Sequence, residues 1–416
     1  MNSDDLDKKL DRLSRFFTTP GNSTAAPQSD SLLNVGTYPP RYQKLAERLG
    51  GELVSSETGA FCLVTTCYPY GHRFGNCKLD VPSSDLTLLN SAFLIKESDR
   101  EHRLADLLFF DTETTGLGGS GAVAFLIGLG CLTASGFEIR QYVLPDYSDE
   151  AALLESVLAE CADHRTLVSY NGTAFDVPLV RDRMIINRVD RGFDPPDHLD
   201  LLHPTRRLFR RRLGDCTLTN IEREIFAFYR EDDIPGYLIP SVYFEWLNSE
   251  SSGMLAQVLE HNRLDVLTLY FLARYIHEAY VTDGRSLGRA DDIYSLSRIY
   301  GRRKQHDRVV DIYRVIDGTA EELAADARLY HAMAMKRAGR IEDALGIWEA
   351  LVGDGGREAF VAALELAKYY EHRVKDYGRA LSLARRAAEL APDSANCRQE
   401  LERRFRRLEA RLSAGG

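Results

Sequence analysis

Short apolar runs punctuated by turn residues dominate the middle of this chain, and helical periodicity dominates its end. The runs at residues 107–110, 122–132, 136–145 and 166–170 predict four strands. The short connections between the first three predict an antiparallel meander. The third alternates at Phe137, Ile139, Gln141 and Val143. Residues 149–164 predict a helix with Asp149 as N-cap and Leu153, Leu154, Val157, Leu158 and Cys161 as its apolar face. A helix is expected to begin near Phe175, a fifth strand at 198–202, and helices at 217–228 and 254–280. Three strands followed by helix, strand and helix predict a mixed α/β sheet with helices packed on it.

Upstream, residues 4–17 carry apolar positions at helical spacing, and 18–31 read as a flexible Ser/Thr/Pro/Gly linker. Residues 41–49 predict a short helix, and 52–56 with 60–66 a strand pair. From about Ser286 the pattern is helical throughout. Segments 293–316, 329–351 and 364–390 resemble one another, with Val310, Ala344 and Ala380 recurring 34 and 36 residues apart. That period resembles tetratricopeptide-type helix hairpins of about 34 residues. A basic helix at 398–411 would cap them. The expected division is residues 1–31, an N-terminal helix and linker; 32–100, a small β-containing region; 101–283, an α/β domain; and 284–416, an all-α repeat domain. Repeat modules bury their cores among themselves, so residues from about Arg289 onward are expected to be separable.

Composition narrows the function. A net charge of −10 gives no global attraction for a polyanion, which would have to meet a local basic patch or bound metal. Seven cysteines without a dense framework, and an N-terminus without a secretory apolar core, point to a reducing cytoplasm. No apolar run reaches membrane-spanning length.

The first apolar run, LLFF, ends in Asp111, with Glu113 two residues later. On a strand both carboxylates point to one face, where they raise each other's pKa unless a divalent cation lies between them. The alternative is a solvated acidic turn. Asp176 falls in the first turn of a helix just beyond a strand end, and the macrodipole favours an anion there. His261 and Asp265 lie one turn apart on the core-facing side of the last long helix of the α/β domain, where an acid is costly unless paired or metal-bound. The run carrying Arg206, Arg207, Arg210 and Arg211 is the strongest local basic patch, suited to phosphate or to an ordinary solvated helix face. Cys62, Cys67, His72 and Cys77 recur every five residues, a loose match to zinc-ligand spacing, and Cys62 sits inside an apolar strand.

With DTETTG, NGTAFD and HNRLD around the four acids, residues 104–280 resemble the DnaQ-like (DEDD) 3′–5′ exonucleases of the ribonuclease H-like superfamily. The glycine-rich GLGGSGAVAFLIG and the appended helices resemble its YprB-like branch most. The resemblance implies a ribonuclease H-like mixed sheet flanked by helices. It implies two Mg²⁺ or Mn²⁺ ions held by Asp111, Glu113, Asp176 and Asp265, with His261 as base. It also implies that Thr114, Thr115, Gly116 and Asn171 meet the terminal nucleotide. The family's histidine subgroup places His five residues before the last Asp and its tyrosine subgroup places Tyr four before; His261 is four before Asp265. The expected activity is phosphodiester hydrolysis at a single-stranded 3′ end, DNA favoured over RNA, with a protein partner on the repeats. The competing expectation is a non-catalytic nucleic-acid-binding adaptor.

Overall fold

Strands β1 (Glu52–Ser56), β2 (Gly59–Pro69), β3 (Leu107–Thr114), β4 (Ala124–Leu132), β5 (Gly136–Val143), β6 (Thr166–Ser169) and β7 (Asp197–Asp200) form one mixed sheet. Their order across it is β1-β2-β5-β4-β3-β6-β7. The computed structural model describes residues 38–82, 87–88, 92, 102–116, 121–189, 193, 197–251, 253–317, 323–392 and 394–414. The expected helix at 4–17 and linker at 18–31 lie outside these residues. β3, β4 and β5 form the expected antiparallel meander, and β6 runs parallel to both β3 and β7. The strand pair from the N-terminal region joins the same sheet, because β2 pairs with β5 from Cys62 opposite Val143 to Pro69 opposite Gly136.

β3 is apolar on both faces because both are covered. Leu107 and Phe109 enter a core with helix residues Val266 and Tyr270, and Leu108 and Phe110 enter a second core with Leu153 and Val157. The helices are α1 (Pro40–Arg48), α2 (Glu150–Ala162), α3 (Asp176–Ile186), α4 (Leu202–Leu213), α5 (Leu218–Phe226), α6 (Ile239–Ser249) and α7 (Leu255–Val281). From Val266 onward α7 packs in the first core, its opening turns at Leu255, Val258 and Leu259 join the second, and α2 lies in the second. Asp149 holds the N-cap position of α2 as expected, but its side chain makes no capping hydrogen bond. Its carboxylate is buried, accepting from the Tyr42 hydroxyl at 2.7 Å and the Ala60 N–H at 3.0 Å, so it ties α1 and β2 to the sheet end.

The C-terminal helices are α8 (Ala290–Arg302), α9 (His306–Asp317), α10 (Ala325–Arg337), α11 (Ile341–Asp354), α12 (Gly356–Tyr369), α13 (Tyr377–Leu390) and α14 (Ala395–Ala414), and each packs on the next. The recurring Val310, Ala344 and Ala380 are all buried, one in each of α9, α11 and α13, where paired helices approach. α8 also packs along α4, and its Ile293 and Leu296 belong to the same core as Phe109 and Val266. Arg212 on α4 reaches the buried Asp292 on α8 at 2.7 Å. The boundary expected at residue 284 thus falls inside a continuous core. Among the described residues no helix is long and apolar enough to cross a membrane.

Candidate metal centre

Three elements bring the four acids together. Asp111 and Glu113 stand two residues apart on β3, opposite Gly128 and Leu126 of β4, and the ladder shifts register between Glu113 and Thr114. Such irregularities re-aim side chains at strand ends. A Cβ on Gly128 would stand 2.3 Å from Oδ1 of Asn262, so glycine there lets α7 settle against the sheet. Asn262, fully buried, donates from Nδ2 to Oδ2 of Asp111 at 2.9 Å. Gln141 on β5 donates to Oδ1 of Asn262 at 2.9 Å and to the Leu259 carbonyl at 2.8 Å. This relay fixes which atom of the Asn262 amide faces the acid.

Asp176 opens α3 after the turn at 171–175. Asn171 takes the left-handed position in that turn, with φ 67°. Gly172 is needed for space, since a Cβ there would lie 2.4 Å from Oγ of Ser169. Asp200, at the end of β7, accepts from the N–H groups of Asn171 at 2.8 Å, Thr173 at 3.1 Å and Leu202 at 3.0 Å, and so pins the turn that presents Asp176. The Thr112 hydroxyl donates to Asp176.

Asp265 and His261 come from α7. One nitrogen or oxygen from each of Glu113, His261 and Asp265 lies within 4.8 Å of the others, which sets the imidazole beside the acids. Sequence reasoning missed their support. Arg230, with its side chain only 4% exposed, donates to both Glu222 oxygens at 2.6 Å and also to Asp265. Asp233 accepts from Arg230 at 3.4 Å and holds Nδ1 of His261 at 2.7 Å. The stretch REDD at 230–233 reads as a solvated loop, and no periodic signal marks it as buried.

Crowding raises the proton affinity of three acids. Burial, followed by the charges of Asp265, Glu113 and Asp176, lifts Asp111 well above the ordinary carboxyl range. Burial, then Asp265 and Asp176, lifts Glu113 despite Arg230. Burial also raises Asp176, against the bond from Thr112. One guanidinium in this cluster therefore leaves negative charge uncompensated. An all-oxygen donor set of this kind fits a hard divalent cation such as Mg²⁺ or Mn²⁺.

A cleft of about 410 Å³ opens from the cluster, lined by Asp111, His261, Asp265, Asn171, Tyr170 and Arg206 as well as by the turn between α4 and α5. Of the four arginines expected to meet phosphate, Arg206 lines this cleft. Arg210 is exposed on α4. Arg207 is half-buried and donates to the Ala92 carbonyl at 3.4 Å. Arg211 is paired with Asp291 at 2.7 Å and Asp326 at 2.9 Å, across to α8 and α10. Thr114, Thr115 and Gly116 form the turn above Glu113, where the Thr114 hydroxyl donates to the Gly116 carbonyl at 2.7 Å and Thr115 pairs with Val123. The Cys62, Cys67, His72 and Cys77 set does not converge. Cys62 is buried against the Tyr42 carbonyl, Cys67 lies near Ser135, and the His72 ring packs tilted against Tyr68.

Residues 108–277 match a family model of the RNase H superfamily. Across 362 residues the chain is 33% identical to YprB of Bacillus subtilis (strain 168), covering 85% of this chain and 87% of the relative. The chain belongs to the YprB family. The four acids and their cleft lie inside the matched RNase H superfamily region of this YprB-family chain. A solved family B DNA polymerase from Pyrobaculum calidifontis is also similar, at a TM-score of 0.34 and 14% identity, covering 64% of this chain and 35% of the polymerase. The chain thus spans about a third of that polymerase's length.

Proposed function

We propose that this chain is a metal-dependent nuclease that removes nucleotides from the 3′ end of a single strand, with DNA favoured over RNA. The observation that carries the reading is the convergence of Asp111, Glu113, Asp176 and Asp265, crowded enough to raise the proton affinity of three of them, at the head of an open cleft. Two Mg²⁺ or Mn²⁺ ions held by these acids would supply Lewis-acid stabilisation of the attacking and leaving oxygens.

The chain's own residues divide the remaining work. Asn262 and Thr112 orient Asp111 and Asp176. His261 stands with Nε2 3.6 Å from Oδ2 of Asp265, placed to take a proton from water at the cluster. Arg206 offers its guanidinium to the backbone of a strand in the cleft. Phe175, 57% exposed beside Asp176, offers a face on which an unpaired base can stack. The C-terminal helices read as tetratricopeptide-like hairpins that take a protein partner.

The test is incubation with 5′-labelled single- and double-stranded DNA and RNA, with Mg²⁺, with Mn²⁺ and with chelator. The reading predicts a metal-dependent ladder shortening from the 3′ end of the single strand. Intact substrate under every metal condition would refute it.

A further inference from the structure

The second cluster of metal-ligating side chains lies on the other face of the sheet. Cys131, near the end of β4, packs with the core that contains Leu108 and α2, whereas Val266 and the later turns of α7 pack in the core on the opposite face. Glu160 sits in the last turn of α2, and His164 follows two residues after the helix ends. One donor atom from each of Cys131, Glu160 and His164 lies within 4.8 Å of the others, and all three residues are half-buried.

Two features show that these groups are not simply satisfying one another. Nδ1 of His164 is buried without a hydrogen-bond partner among the described residues. Buried polar atoms are nearly always paired, so an orphan next to a thiol and a carboxylate calls for a ligand. Arg140 takes Oε2 of Glu160 at 2.6 Å and Oε1 of Glu138 at 2.9 Å. It thereby orients Glu160 while leaving that residue's Oε1 for another partner. Glu138 is the cross-strand neighbour of Cys131, which puts a second carboxylate on the same side of the ladder. Two acids against one guanidinium leave room for positive charge.

We propose that Cys131, Glu160 and His164 bind a zinc-type divalent cation, with water in the fourth position. Sulfur, imidazole nitrogen and carboxylate oxygen together suit Zn²⁺ and disfavour Mg²⁺. Donors around a tetrahedral zinc lie about 3.5 Å apart, given bonds of roughly 2.0–2.3 Å, so donors already within 4.8 Å of one another are close to that spacing. Burial, followed by Glu160, pushes the free Cys131 thiol up to about 11, which keeps it protonated until a metal arrives. Binding one cation then forms the metal–sulfur bond and releases the thiol proton to solvent. The ion would clamp the end of α2 to the end of β4.

The experiment titrates metal-free, full-length protein with Co²⁺ alone, reading the near-ultraviolet thiolate-to-cobalt charge-transfer absorption. The acids around Asp111 contain no sulfur and contribute none of it. The expected result is absorption saturating at one Co²⁺ per chain through this site, displaced by Zn²⁺. It should vanish in Cys131→Ser, weaken at least about tenfold in affinity in His164→Ala, and persist in Cys161→Ser and in Asp176→Ala. If Cys131→Ser does not fold, His164→Gln decides, with loss of the absorption supporting the site. Absence of the absorption in the wild type, its persistence in Cys131→Ser, or undiminished affinity in His164→Ala or His164→Gln overturns the proposal.

Discussion

Asp233 lies 2.7 Å from Nδ1 of His261. Arg230 Nη1 also lies 3.3 Å from that nitrogen, but the shorter contact is to a carboxylate, which accepts, so Nδ1 donates; a neutral ring then has its lone pair on Nε2, on the side where Asp265 stands 3.6 Å away. Partners of this kind set the tautomer and orientation of a working imidazole. His261→Ala should lower turnover roughly a hundredfold or more, the scale of general-base assistance. Asp233→Asn should lower it about 10–100-fold, the usual cost of removing an orienting partner. Metal-binding isotherms should separate this from lost ligation, with both variants keeping Mn²⁺ affinity close to wild type. Unchanged turnover in His261→Ala would remove the base role and leave Asp233 a structural partner of Arg230.

Gly128→Ala probes the fit between β4 and α7. The new Cβ would press on Oδ1 of Asn262 at 2.3 Å, displacing the amide that holds Asp111. Overpacking of this type costs about 1–3 kcal/mol, which a protein of ordinary stability survives. The variant should fold, melt several degrees lower and hydrolyse poorly. Wild-type rates in a folded Gly128→Ala would show that the Asn262 contact does not position Asp111.

Stability should respond to pH through the same acids. A carboxyl with a raised folded pKa keeps in the fold a proton that it has lost in the unfolded chain. Its contribution is therefore most favourable at acid pH, and is lost as pH rises above about 4, the unfolded value, and on through the folded one. For Asp111 and Glu113 the shift is upward, driven first by burial. With chelator present, Asp111→Asn should melt above the wild type near neutral pH, and the gap should widen from about pH 5 to about pH 7. Mg²⁺ should close the gap by stabilising the wild type alone. A chelated variant that melts below the wild type at neutral pH contradicts this account of the crowding.

Sequence pattern carried the meander, the long helix and the positions of the four acids, because continuous apolar runs and helical spacing report burial directly. It did not carry the supports. Arg230 and Asp233 sit in a loop that looks solvated, and only tertiary packing shows that Arg230 is buried on Asp265 and Glu222. Asn262 gives no signal of its role either, because its partner Gln141 is 121 residues away. The arginine run illustrates the opposite failure. Its charge suited phosphate or a solvated helix face; Arg206 lines the cleft, whereas Arg211 and Arg212 face Asp291, Asp326 and Asp292 in the C-terminal helices. Charge in sequence names no partner.

That pairing bears on where the chain can be cut. Ending it after Asp283 removes α8, whose Ile293, Tyr294 and Leu296 are all buried. Each such side chain is worth about 1.5–3 kcal/mol, and stranding Arg212 without Asp292 adds about 3–5 kcal/mol. Together these rival a typical domain's whole stability of about 5–15 kcal/mol. The truncated chain should be insoluble or lack a cooperative melting transition. A soluble, cooperatively melting fragment ending at Asp283 would show that the α4–α8 contact is a dispensable interface.

Asp176→Ala tests the central claim most directly. The acid lies outside both hydrophobic cores and its carboxylate is bonded by Thr112, so its removal should leave the fold intact. The measurement is cleavage of a 5′-labelled single strand in Mn²⁺ by wild type and variant, with Mn²⁺ binding and circular dichroism recorded on the same samples. The account predicts 3′-end shortening by the wild type, none by the variant, weaker Mn²⁺ binding and an unchanged spectrum. A folded Asp176→Ala that cleaves as fast as the wild type would contradict it.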